Sequence, residues 1–179
     1  MRERSITRCL AVALCALLVG CQNTSTGPAP SPAEIAELRE KLILAEEPSG
    51  AIGVVELRQQ LTGDGGAEAP VTAGPQAVVL MGRVHGPFDK EFASFLLIDP
   101  TATEHHTHEH EDGEECPFCA KQEAEAQAVV QFADVDASQA IDAPTLFNLQ
   151  ESDLVVVHGT AEAVGSLLFV HADGIHVRR

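Results

Sequence analysis

Residues 151–160 read Glu151-Ser152-Asp153-Leu154-Val155-Val156-Val157-His158-Gly159-Thr160. A polar, turn-forming triplet gives way to a β-branched apolar run that closes on a histidine and a glycine. That is a strand bounded by turn residues. Four other runs share the pattern: Ala77 to Val84, Phe92 to Asp99 with Pro100 closing it, Ala128 to Val135, and Leu167 to His171. Between the third and fourth of these five, Pro144 to Leu149 suits one or two helical turns. From Gln76 onward the chain is therefore expected to be mainly β, with five short strands and a small helix between the third and fourth.

That order resembles an OB-fold. Val79-Leu80-Met81-Gly82-Arg83-Val84 is similar to the first strand of that fold, and residues 151–160 are similar to the approach to its fourth. The resemblance spans about residues 76–179 and implies a five-stranded OB-like barrel. A closed barrel suits so short a unit because it leaves few strand edges exposed. In that frame residues 100–127 are an insertion between the second and third strands. At 28 residues it is far longer than a hairpin loop, and connections of that length are commonly functional or disordered.

Upstream, residues 31–62 form an expected helical segment. Ser31 is placed as an N-cap, with Pro32 at the first helical position and Glu34 completing a capping box. Ile35, Leu38 and Leu42 then fall on one helical stripe. Pro48-Ser49-Gly50 is expected to stop this helix. Residues 51–61, AIGVVELRQQL, accept helix or strand, and a second short helix is the expectation. Residues 63–75, rich in Gly, Ala and Pro, read as a linker.

The insertion carries the chemistry. Residues 105–119 read HHTHEHEDGEECPFC, so half of the eight histidines lie just ahead of a Cys-x-x-Cys pair. Imidazole and thiolate are the donors that borderline-soft transition metals prefer, and tetrahedral zinc sites often place two cysteines on such a turn. Cys116 and Cys119 supply that turn, His108 and His110 a second pair, and Gly113 lets the chain double back. The expected metal ligands are His108, His110, Cys116 and Cys119, with His105 and His106 as substitutes. Glu109, Glu111 and Asp112 stand ready to orient the ligands or to bind further ions. Zinc fits this donor set, and copper(I) would accept it too. Cys116-Pro117-Phe118-Cys119 is also similar to the active-site turn of glutaredoxin-type oxidoreductases, which implies thiol–disulfide exchange as an alternative. That chemistry normally follows a buried strand, whereas here the preceding residues are histidines and acids. A third alternative is an envelope scaffold whose His-rich loop has no function.

The start of the chain sets the compartment. Arg2, Arg4 and Arg8 precede an uncharged apolar run from Cys9 to Val19. That run is shorter than the roughly 20 residues a spanning helix needs, so it reads as the core of a signal peptide. Leu18-Val19-Gly20-Cys21 resembles the lipobox of bacterial lipoproteins, which implies cleavage after residue 20, lipidation of Cys21 by acyl chains such as palmitate, and anchoring in the cell envelope. Gln22 is not the Asp of the family's inner-membrane retention pattern, which favours the outer membrane in a cell with two. Residues 21–30 are the expected tether. Cys116 and Cys119 are then the only thiols left, in a compartment where an unmetallated pair tends to oxidise.

Cleavage also removes three Arg and one Glu, leaving 8 basic and 26 acidic residues and a net charge of −18. Such a field repels phosphate backbones and attracts cations. The chain has no Trp and no Tyr for base stacking, so nucleic acid is not an expected partner. The expected partners are a metal ion and the membrane through the lipid. No Gly-x-Ser-x-Gly elbow occurs, and a non-enzymatic role is expected. Of the remaining histidines, His85, His158, His171 and His176 fall on or beside strands. Taking Val164-Gly165 as a two-residue turn would set His158 opposite His171, making a second metal site conceivable, although surface histidines on a barrel are the simpler expectation.

Overall fold

The computed structural model describes residues 30–62, 74–89, 92–102, 124–132, 135 and 141–179. Two helices, α1 (Pro32–Leu42) and α2 (Val54–Thr62), precede strands β1 (Gln76–His85), β2 (Ser94–Ile98) and β3 (Gln127–Phe132). A one-turn helix α3 (Ala143–Phe147) follows, then β4 (Leu154–Val164) and β5 (Leu167–Arg178). The strands close into a barrel in the order β1-β2-β3-β5-β4, in which only the β3–β5 pair is parallel. The fold is mainly β, an OB-like barrel with helices before it and one helix between β3 and β4.

Alternation builds the barrel. Along β3, Ala128, Val130 and Phe132 are buried while Gln127, Val129 and Gln131 are only partly so. Along β1, Val78, Leu80, Gly82 and Val84 face inward in the same way. The register defines two ends. At one lie Gln76, Ile98, Gln127 and the β4–β5 turn; at the other lie His85, Ser94, Phe132, Leu154 and Arg178.

Each end has its own plug. Val54, Leu57 and Leu61 of α2 are fully buried and join the barrel core, with α2 against β1, β3 and β4. The α3 plug is aromatic: Phe147 packs on Phe132 with ring centroids 4.5 Å apart, and Phe95 lies 6.4 Å beyond. Asp142 caps α3 by accepting from the Thr145 N–H, and the Arg39 guanidinium of α1 donates to the carbonyls of Thr145 and Leu146. This satisfies carbonyls that a five-residue helix leaves unpaired.

The Ser31–Glu34 capping box forms as expected. The end of α1 does not. The helix stops at Leu42, six residues before Pro48, because Ile43 leaves it to make a parallel bridge with Ile175 of β5. The Leu44 N–H donates to the Ile175 carbonyl at 2.8 Å. Farther along, Ile52 bridges the facing edge of β1, donating to Val79 and accepting from Met81. The connection between α1 and α2 thus covers two strand edges that the barrel leaves unpaired. The ambiguous stretch 51–61 enters a helix at Val54, and that helix runs to Thr62.

Two strand expectations need correction. β5 runs on to Arg178, well past His171. The strand passes through Asp173-Gly174 with a register shift between His158 and Gly159 of β4. A Cβ at Gly159 would collide with the His171 carbonyl, so close strand contact at the shift requires glycine. The β4–β5 turn is also displaced. Val164 pairs with Leu167, leaving Gly165 at φ +63° and Ser166 as the turn residues.

Candidate functional site

The expected metal ligands His108, His110, Cys116 and Cys119 lie outside the described residues, as do the reserve residues His105 and His106 and the lipidation residue Cys21. What the structure does place is the stem from which the insertion leaves the barrel and to which it returns. Among the described residues, three polar or charged side chains are buried: Arg58, Thr62 and Asp99. All three belong to that stem or to α2 beneath it.

Asp99 follows the last residue of β2 and caps α2 from a distance. One carboxylate oxygen accepts from the Val55 N–H at 3.0 Å. The other accepts from the Thr101 N–H at 3.0 Å and the Thr101 hydroxyl at 2.7 Å. Burial pushes the Asp99 carboxyl upward, but donors from Thr101, Val55 and Val54 outweigh it and hold the group below the usual carboxylate range. Gly53 makes the approach possible, since a Cβ there would sit 2.5 Å from the Asp99 oxygen. The outgoing and returning chains also meet directly, through the Asp99 N–H and the Ala126 carbonyl at 2.9 Å.

Arg58 holds the returning chain. It is 3% exposed, and its guanidinium donates to four carbonyls: Glu125 at 2.8 Å, Gln127 at 2.9 Å, Ser166 at 3.0 Å and Ala124 at 3.1 Å. A planar fork with five donors suits this task better than an ammonium would. Burial lowers the Arg58 pKa, offset in part by Glu125. Both ends of the insertion are therefore fastened to one helix, at its N-terminus by Asp99 and one turn later by Arg58.

Sequence reasoning missed this pair. A signal existed for Arg58, which falls on the apolar stripe of Val54, Leu57 and Leu61, where a charge demands partners. Asp99 gave less, because its α2 partner lies 44 residues upstream.

The remaining histidines do not converge. On the outer face of the barrel, His158 Nδ1 lies 2.5 Å from Asp173 and His171 Nε2 lies 3.1 Å from Glu162. His85 Nδ1 lies 3.3 Å from Glu151. His171 faces Thr160 across the β4–β5 pair, and His158 faces Gly174. The expected opposition of His158 and His171 is thus corrected: His171 faces a residue two positions beyond His158, and His158 faces one three positions beyond His171. His176 donates from Nδ1 to the Leu44 carbonyl at 3.1 Å, tying β5 to the interhelical connection. Among the described residues, no group of three His, Cys, Asp or Glu side chains is placed to hold a metal ion.

No family model matches the chain, and no curated protein does. Among solved structures it is similar to a crystal structure assigned as an aspartyl-tRNA synthetase from Leishmania major Friedlin, at 15% identity and a TM-score of 0.37. The match covers 81% of this chain and 25% of the other, so the chain spans a quarter of that protein's length. A likeness so distant says nothing about what this barrel binds. The fold stands on its own strand order and register.

Proposed function

We propose that this chain is a lipid-anchored protein of the cell envelope that binds a transition metal, zinc or copper(I), through His108, His110, Cys116 and Cys119. Its role is non-enzymatic: storage, delivery or local structure. Lipid on Cys21 holds it to a membrane, the outer one in a cell with two. One observation carries the metal reading: four histidines and two cysteines fall in fifteen consecutive residues. The stem supports it, because Asp99 and Arg58 fix both ends of the ligand-bearing segment to α2. Two thiolates and two imidazoles match the donor set of tetrahedral zinc. Once bound, the metal would keep the thiols from pairing with each other in an oxidising compartment. A net charge of −18 after cleavage favours cations and opposes nucleic acid.

The test is metal content and free-thiol titre of the detergent-extracted protein, repeated for Cys116→Ser. One equivalent of zinc or copper, lost in the variant, is the expected result. A metal-free protein with a Cys116–Cys119 disulfide that reduces model disulfide substrates would replace this reading with an oxidoreductase. A variant identical to the parent in both measurements would leave an envelope scaffold.

A further inference from the structure

The two helices ahead of the barrel are held in different ways. Of the nine residues of α2, Val54, Leu57, Arg58, Leu61 and Thr62 are buried. Of the eleven residues of α1, Leu42 is the buried one, with Ile35 and Leu38 partly covered. The polar fastenings of α1 and of the chain after it lie at or near the surface. Arg39 donates to the Thr145 and Leu146 carbonyls, and Arg178 forks onto the Glu47 carboxylate. Leu44 bonds to Ile175 through its N–H and to the His176 ring through its carbonyl. Water replaces such bonds when a surface helix lifts, so each contributes little net stability. Pulling α2 out would instead expose a plug and a buried guanidinium.

Pro48-Ser49-Gly50 divides the two holdings. Gly50 sits at φ +80°, with open space where a Cβ would stand, so the chain pivots there without a clash. Two residues on, Ile52 is bonded to Val79 and Met81 of β1, and α2 follows. Opening can therefore start at Ser31 and stop at Gly50. A helix of eleven residues is marginal on its own, so α1 melts once it lifts.

We infer that residues 31–50 are a releasable strap, which opens as a unit while Ile52, α2 and the barrel stay closed. Residues 21–30 join this strap to the lipid at Cys21. At full extension ten residues reach about 35 Å, and the thirty residues from 21 to 50 reach about 100 Å. The strap thus gives the anchored barrel a short reach and a long one. That gain in reach rests on the lipid-anchor reading, whereas the release does not. Fractionation of Cys21→Ser tests the anchor apart from the release.

The release is read by native-state hydrogen exchange of the full chain in detergent, in low urea, followed by mass spectrometry. Residues 35–44 are expected to exchange about 100-fold faster than residues 55–61, and with almost no urea dependence, because the opening uncovers little surface. Ile43 and Leu44 are expected to open together with α1. Equal rates in the two helices, or the same steep urea dependence in both, would overturn the proposal. So would fast exchange confined to the first turn of α1, which is end fraying. Pulling single molecules from the tether and from the β4–β5 turn gives a second reading. A first, reversible lengthening of about 50 Å is expected before the barrel gives way. Loss of strap and barrel in one step would overturn it.

Discussion

The two ends of this barrel are closed by different chemistry. At the α3 end the plug is Phe147 packed at a tilt on Phe132, with Phe95 beyond it. At the α2 end an apolar plug of Val54, Leu57 and Leu61 is combined with Arg58, Thr62 and Asp99, the buried polar groups of the described residues. Apolar contacts are non-directional and hold a core wherever volumes fit. Hydrogen bonds to a buried guanidinium or carboxylate are directional, and they fix particular backbone atoms. The end from which the insertion leaves is the one built for position, and the other is built for bulk stability.

The comparison breaks most readily under large substitutions. Phe147→Ala removes an aromatic plug and should cost about 4 kcal/mol in urea unfolding. Arg58→Met should cost about 3 kcal/mol, because it removes a buried guanidinium that donates to the carbonyls of Ala124, Glu125, Gln127 and Ser166. The two should also differ in kind. Hydrogen exchange at the Asp99 amide should quicken in Arg58→Met before the rest of the barrel opens, whereas Phe147→Ala should loosen the molecule as a whole. Equal local protection in both variants would erase the distinction between the ends.

Asp99→Asn sharpens it on a smaller scale, at about 1–2 kcal/mol near neutral pH. The folded state holds the Asp99 carboxyl low. Its contribution is therefore complete above the unfolded value near about 4 and is lost as pH falls through the lower folded value. The gap in urea midpoint between parent and Asp99→Asn should narrow steadily on acidification below about pH 4. A gap independent of pH would mean that the carboxylate's charge has no part in the cap. The smallest effect belongs to the outer face. His158→Ala removes an exposed pair with Asp173 and should change stability by less than about 1 kcal/mol.

Strand alternation was legible because it is local. Residues 151–160 announce β4 on their own, and the Ser31–Glu34 box announces the start of α1. What failed was decided elsewhere in the chain. α1 ends at Leu42 rather than Pro48 because Ile175, more than 130 residues away, recruits Ile43 into a bridge. β5 runs past its expected end at His171 because β4 keeps it paired through Asp173-Gly174, with a register shift between His158 and Gly159. The site divides in the same way. Its candidate ligands stand out as a cluster in sequence, while its supports do not, since Arg58 reaches partners 66 to 108 residues downstream.

Those separations also bear on the order of events during synthesis. α1 and α2 emerge first, yet the groups that hold them, from Asp99 to Ile175, emerge last. β5 pairs with β3, β4 and Ile43, so no closed barrel exists until the final strand is free. A chain wired this way collapses late and slowly, on the millisecond-to-second scale of non-local β topologies. Until Arg178 clears, the helices wait without partners, and a chain cut short before Leu167 would be prey for proteases rather than a smaller working barrel.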